Sequence, residues 1–315
     1  MLSKVLSVCI IVLLCTVGFI PQEKAFSSGS KETDDIEMTI VTFKSNNYTL
    51  YGEIYYPSQA SETYPGIVFC EGLGAYVSAY SWIPKALAKE GYVVLIYDPP
   101  GQGKSEGIFP GGGISIPILN LYLRFGTFLE TTYHYLNHDD VDALEDALTY
   151  LLSESPVKDI VNKSSIGFIG HSLGGITVTD AAAQDSRVKA VVALSHGNCL
   201  IIDKINVPIQ FQGGGFDLPL FSVPIMRRCY SKANTPKELV MIEHGTHIGF
   251  TTAFGPLCLC PRWQKDIIIH YAVGWFDYFL KNKSEAYGII TTGVDHLSRV
   301  FRSKYNFGDG EHLLN

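Results

Sequence analysis

Short apolar runs recur along this chain, and most end in turns rich in glycine or proline. Residues 65–70, 92–97, 166–169, 188–194, 208–211 and 239–242 are such runs, and Tyr92-Val93-Val94-Leu95-Ile96-Tyr97 is the clearest. Runs of this kind, without strict alternation, predict strands buried on both faces, as in a parallel sheet. Between them, apolar residues fall at helical spacing. Residues 81–90 carry Trp82, Ala86 and Leu87, with Gly91 as a stop. Residues 139–152 carry Val141, Leu144, Leu148 and Leu151, and 264–280 carry Ile267, Ile268, Tyr271, Trp275 and Phe279. Two further strands, 38–43 and 48–56, are predicted around the turn Ser45-Asn46-Asn47. Strand and helix in alternation predict an α/β fold, a mostly parallel central sheet flanked by helices.

One stretch breaks the rhythm. Residues 108–137 hold Gly111-Gly112-Gly113, followed by Ile116, Ile118, Leu119, Leu121, Phe125 and Leu129. The stretch is too long and too apolar for a plain connection, which predicts an inserted cap. The N-terminus also stands apart. Lys4 precedes an apolar run over residues 5–20. This reads as a secretory signal over 1–25 and an exported protein. The alternative is a membrane anchor, because the run is near the short limit for a spanning helix. Residues 26–38 are serine-rich and polar and read as a linker. A globular domain is expected over 39–283, with a tail lacking clear periodicity over 284–315.

Composition narrows the class. Of 315 residues, 46% are hydrophobic and 17% charged, which supports a sizeable core and argues against disorder. The net charge is −7 with no long basic run, which argues against a nucleic-acid partner. Cys9 and Cys15 lie in the export segment, leaving Cys70, Cys199, Cys229, Cys258 and Cys260. An odd set leaves at least one thiol without a partner in the chain. A bridge from Cys229 to Cys258 or Cys260 is the candidate disulfide, and the sequence does not assign it. Cys258-Leu259-Cys260 has no second cysteine or histidine pair nearby, so no zinc site is expected. No G-x-G-x-x-G follows the first strand and there is no Walker lysine pattern, so neither a metal nor an organic cofactor is expected.

The chemistry concentrates at Gly170-His171-Ser172-Leu173-Gly174, between the run 166–169 and the small-residue stretch 175–183. Strand, G-x-S-x-G and helix form the nucleophile-elbow pattern. The serine takes a strained backbone so that its hydroxyl stands clear of the sheet, and close packing of strand on helix requires glycine around it. A serine hydroxyl is a poor nucleophile at neutral pH and needs a histidine base, itself oriented by an acid. In an open α/β sheet these partners follow later strand ends, in the order Ser, acid, His. Asp217 and His247 satisfy that order. Asp203 is the rival acid and His244 the rival base. His196 sits at the end of the preceding strand. Tyr76, His171 and His196 are candidates to line a substrate pocket. Asp98, at the head of Asp98-Pro99-Pro100-Gly101, is expected to hold its turn rather than to react. Backbone N–H groups of Leu173 and Leu73 are the expected oxyanion donors, with Gly72 and Gly74 permitting close approach.

Through these residues the chain resembles the α/β-hydrolase superfamily of serine hydrolases. Within it, the chain is similar to the branch holding dienelactone-hydrolase-like proteins, platelet-activating-factor acetylhydrolases and cutinase-like polyesterases. The carrying residues are 72–76, Ser81-Trp82, 87–92, 170–175, Asp217, and His247 with Gly249-Phe250. The stretch 98–107 is similar to the D-x-x-G-x-G-x-S turn of general esterases and lipases. The resemblance covers about 39–283 and implies the α/β-hydrolase fold, into which the apolar stretch 108–137 would be inserted as a cap. It also implies hydrolysis of small or medium carboxylic esters through an acyl-enzyme. In that chemistry Ser172 is nucleophile, His247 base and acid, and Asp217 the orienting group. Three residues or segments depart from the pattern. Glu71 stands where many esterases have histidine, and a carboxylate there opposes an oxyanion unless it turns away or is paired. Ser172 replaces the cysteine of a dienelactone hydrolase proper. A cap argues against polymer substrates of the cutinase kind. A lipase, a serine peptidase or an acyltransferase would use the same residues, and a non-catalytic binding module is the reading from another class.

Overall fold

A computed structural model describes residues 35–59, 62–107, 132–217, 222–252, 261–298 and 303–314. The chain opens with a hairpin of β1 (Ile36–Ser45) and β2 (Tyr48–Pro57), paired in antiparallel register from Ile36 opposite Pro57 to Ser45 opposite Tyr48. Asn46 takes φ 49° in the tight turn between them, a conformation that asparagine tolerates. β3 (Tyr64–Cys70), α1 (Trp82–Lys89) and β4 (Val93–Tyr97) form the first crossover. Next come α2 (Asp139–Ser153), β5 (Val161–His171), α3 (Leu173–Ala182) and β6 (Val188–Leu194). The last parallel unit is β7 (Ile209–Gly214), α4 (Ser222–Lys232) and β8 (Lys237–Ile242). The chain ends in α5 (Arg262–Leu280), α6 (Ala286–Thr291), β9 (Lys304–Asn306) and β10 (His312–Leu313).

Among the described residues one sheet runs β1-β2-β4-β3-β5-β6-β7-β8-β9-β10. Pairings from β4 through β8 are parallel, and those at the two ends are antiparallel. Side chains alternate between two buried layers, as strand geometry requires. Val93, Leu95 and Tyr97 of β4 join α2, α3 and α4 in one layer, while Val94 and Ile96 join α1 and α5 in the other. All five residues of β4 are buried, which is why its sequence shows no polar alternation. Burying side chains of this size contributes about 1.5–3 kcal/mol each.

The predicted strands and helices all form, with several boundaries moved. β1 begins at Ile36, inside the segment expected to be linker. The segment 284–315 is not a loose tail. α6 packs on α5, where a side chain at Gly274 would strike Ile289 and Ile290, and β9 pairs with β8 from Asn306 opposite Lys237. Strands of three and two residues are too short to show a period, and the open edge of β8 recruits them. The sequence also gave no sign of α4. Its disulfide joins Cys199 to Cys229, and not Cys229 to Cys258 or Cys260. The loop after β6 lies against α4, which sets the two Cα atoms 4.6 Å apart. Cys70 is a buried free thiol. Residues 1–34, which include the candidate signal, lie outside the described residues. So do 108–131 of the expected cap, whose remainder, 132–137, is helical. Among the described residues no helix is long and apolar enough to cross a membrane.

Candidate active site

Ser172 stands between β5 and α3 with φ 57° and ψ −116°. Strain of this kind costs about 1–3 kcal/mol and persists only when its surroundings hold it. The hold is visible in the backbone. The Ser172 N–H donates to the Leu194 carbonyl at 2.9 Å. A side chain at Gly170 would strike the Gly174 carbonyl, one at Gly174 the Cys70 and Glu71 carbonyls, and one at Gly175 the His196 carbonyl. Ser172 occupies the N-cap position of α3, yet its hydroxyl does not cap the helix. It turns instead to His247 Nε2 at 2.9 Å. The first N–H groups of α3 are thereby left without a side-chain cap, beside the serine oxygen.

Asp217 follows β7 and His247 follows β8, so both reach the same edge of the parallel sheet as Ser172. Their loops are laced together. Gly215 N–H donates to Ile242 O at 2.8 Å, and Phe216 N–H to Gly245 O at 2.8 Å. His247 Nδ1–H donates to Asp217 Oδ2 at 2.9 Å. An ionised carboxylate only accepts, so this bond puts the proton on Nδ1 and leaves Nε2 free to accept from Ser172. Burial pushes Asp217 upward, but the His247 charge and hydrogen bond, with the Ser222 hydroxyl, more than offset it and hold Asp217 below the ordinary carboxylate range.

Three supporting side chains were not legible in the sequence. Ser222, the fully buried first residue of α4, lies 3.3 Å from His196 Nδ1 and helps to lower the Asp217 carboxyl. Gln264 of α5 braces the base turn, with Nε2 donating to Thr246 O at 3.2 Å. Tyr80 bonds His171 Nδ1 at 2.7 Å.

The other candidates separate clearly. Asp203 is exposed in a short turn after β6, with its carbonyl accepting from Asn234. His244 is exposed and packs edge-on against Phe216 at 4.9 Å. His196 and His171 reach the site as buried neighbours of His247, at ring distances of 6.0 and 4.6 Å. Burial, then the His247 charge, draws His196 down to about 4 and His171 well below the usual histidine value. Tyr76 is 41% exposed, on the loop after β3. Leu73 lies on that loop between Gly72 and Gly74, and the Gly74 N–H donates to Gln102 Oε1. Leu173 opens α3.

Asp98 holds its turn, as its position predicted. Its carboxylate accepts from the backbone N–H groups of Val77 and Lys104, each at 2.7 Å. Glu71 is buried and faces Asp98. Burial, followed by the Asp98 charge, pushes Glu71 well above the carboxylate range, which favours its neutral form beside the loop that carries Leu73.

A mostly parallel sheet covered on both faces, with serine, histidine and aspartate joined at its carboxyl edge, is the arrangement of the α/β-hydrolase fold. Comparison with known families agrees. Residues 65–214 match the model of the alpha/beta hydrolase fold, and residues 28–99 match platelet-activating factor acetylhydrolase, isoform II. The chain has the α/β-hydrolase fold and is similar to the branch that holds those acetylhydrolases. Platelet-activating factor acetylhydrolase of Canis lupus familiaris is 25% identical over 261 residues, 74% of this chain and 58% of that protein. Bis(hydroxyethyl) terephthalate hydrolase of Streptomyces coelicolor is 22% identical over 73% of this chain and 62% of its own length. Cutinase 2 of Thermobifida cellulosilytica is 23% identical over 73% of this chain and 74% of its own. The chain thus spans about three-fifths of the length of the first two relatives.

Proposed function

We propose that this protein is a serine esterase that hydrolyses small or medium carboxylic esters through an acyl-enzyme. The observation that carries the reading is the unbroken line of hydrogen bonds from Ser172 Oγ through His247 to Asp217, both at 2.9 Å. Relatives named as an acetylhydrolase, a terephthalate-ester hydrolase and a cutinase support an ester carbonyl as the reacting group. In the proposed reaction Ser172 Oγ attacks that carbonyl while His247 Nε2 takes the hydroxyl proton. Asp217 stabilises the imidazolium and holds its tautomer. The N–H groups of Leu173 and Leu73 receive the developing oxyanion, each contributing about 3–4 kcal/mol to the transition state. His247 then returns the proton to the leaving alcohol. Water, deprotonated by the same nitrogen, attacks the acyl-serine and releases the acid. Glu71 disfavours the oxyanion little, because it is neutral. The apolar run over residues 5–20 supports export of the protein.

The test is hydrolysis of p-nitrophenyl acyl esters of graded chain length by the purified protein and its Ser172→Ala variant. The expected outcome is hydrolysis of the shorter esters that the variant loses by at least about a thousandfold. A preference for long chains turns the reading toward a lipase. Equal inactivity of the two proteins across the series refutes esterase function.

A further inference from the structure

The triad uses one face of His247, and the ring on its other side has no part in the reaction as written. That ring is His171, in the elbow itself. It is 2% exposed, stacks on Phe250 at 5.2 Å with an interplanar angle of 18°, and lies 4.6 Å from His247. Phe250 belongs to the same short turn as His247, so His171 is clasped by the base and its own turn. Tyr80 Oη stands 2.7 Å from His171 Nδ1, and Tyr80 is 1% exposed. The loop after β3 closes on this pair. A Cβ at Gly72 would lie 2.9 Å from Tyr80 Oη and 3.2 Å from His171 Nδ1, so only glycine fits without displacement.

Packing alone does not account for this pair. Phenylalanine at both positions would fill comparable space without burying polar atoms, whose burial disfavours folding unless they bond each other. The bond between them reaches three segments at once. One is the loop after β3 that carries the candidate donor Leu73, another is the elbow, and the third is the turn that carries His247. The His171 ring is also held neutral by its burial. A cation at that distance would oppose the positive charge that His247 acquires in the reaction.

We propose that His171 and Tyr80 act as one positioning unit, which sets the His247 ring against Ser172 and ties it to the oxyanion-side loop. This inference rests on the esterase reading above. Neither residue touches the reacting atoms, so removing the bond should lower kcat and leave KM nearly unchanged.

The experiment compares the parent, Ser172→Ala, His171→Phe, Tyr80→Phe and the double variant Tyr80→Phe/His171→Phe. The readouts are kcat and KM for p-nitrophenyl acetate, the rate of Ser172 labelling by a fluorophosphonate, and the thermal midpoint. His171→Phe keeps an aromatic ring against Phe250 and His247 and loses both ring nitrogens, the one facing Tyr80 included. Tyr80→Phe loses only the hydroxyl. Each single variant is expected to lower kcat and the labelling rate about tenfold, with KM within about twofold. The double variant should lose no more than either single one, because the partners share one bond. Losses that multiply in the double variant, or that follow the thermal midpoint alone, overturn the proposal. Parental kcat in both single variants, with Ser172→Ala inactive, overturns this inference and spares the esterase reading. A parent no more active than Ser172→Ala overturns both.

Discussion

Asp217 and Glu71 invite comparison. Each follows a parallel strand at the carboxyl edge of the sheet, and each is 1% exposed. Burial pushes both carboxyl groups toward the neutral form. Yet Asp217 ends below the ordinary range and Glu71 well above it. The difference lies in what each group faces. Asp217 receives the His247 N–H at 2.9 Å, and the Ser222 hydroxyl adds to the lowering. Glu71 faces a second carboxyl, Asp98, which already accepts two backbone N–H groups. Depth therefore does not set the sign of a buried acid here, and its partners do. One side of Ser172 has a carboxylate that only accepts, suited to holding a base. The other has a neutral acid, compatible with negative charge developing nearby.

The comparison is most sharply tested by removing each charge. Asp217→Asn keeps the shape but can present N–H to His247 Nδ1, favouring the wrong tautomer. On the proposed mechanism kcat/KM for a p-nitrophenyl ester should fall about 10³–10⁴-fold. Glu71→Gln should stay within about threefold of the parent, since a neutral acid becomes a neutral amide. Comparable losses in the two variants would show that both carboxyls act as anions and would end the contrast.

The Asp217 side has a covalent tether, while Cys70, beside Glu71 in sequence, is a free thiol. The disulfide Cys199–Cys229 spans 30 residues and ties the loop beyond His196 to α4, whose first residue helps to hold Asp217 low. By chain entropy it should contribute about 3–4 kcal/mol to stability. Urea unfolding of the oxidised protein and of Cys229→Ser measures this. An unchanged midpoint would mean that α4 is held without the bridge.

The smallest expected effect is a slope. A carboxyl raised in the folded state binds its proton there while the unfolded chain has released it. Stability therefore falls as pH rises from the ordinary carboxylate range toward the raised value. Glu71→Gln lacks that titration. Its urea midpoint should gain on the parent as pH rises through and above the ordinary carboxylate range. A constant difference across that range would show that Glu71 ionises like an exposed acid and that its partner does not govern it.

Much of this architecture is legible in the chain because it depends on local rules. A run such as 93–97 is apolar throughout because both faces of its strand are covered. Gly170, Gly174 and Gly175 announce the elbow because a side chain at any of them would meet backbone atoms. The segments missed locally are those whose signal is weak or distant. β9 and β10 are too short for a period, and α4 begins beside residues with no clear helical pattern. Tyr80 and His171 are 91 residues apart, and nothing in either segment points to the other.

By itself, then, the sequence determined the alternation of strands and helices, the elbow and the strand ends that carry Asp217 and His247. Period and steric fit at glycine act within a few residues, so they can be read without a fold. The tertiary structure alone decided that His247 and not His244 meets Ser172, that Cys199 and not Cys258 or Cys260 pairs with Cys229, and that the Glu71 carboxyl is pushed above the ordinary range where Asp217 is held below it. Each of these depends on which distant segments come within bonding distance. A side chain's charge and partner are properties of that meeting and not of its own stretch of chain.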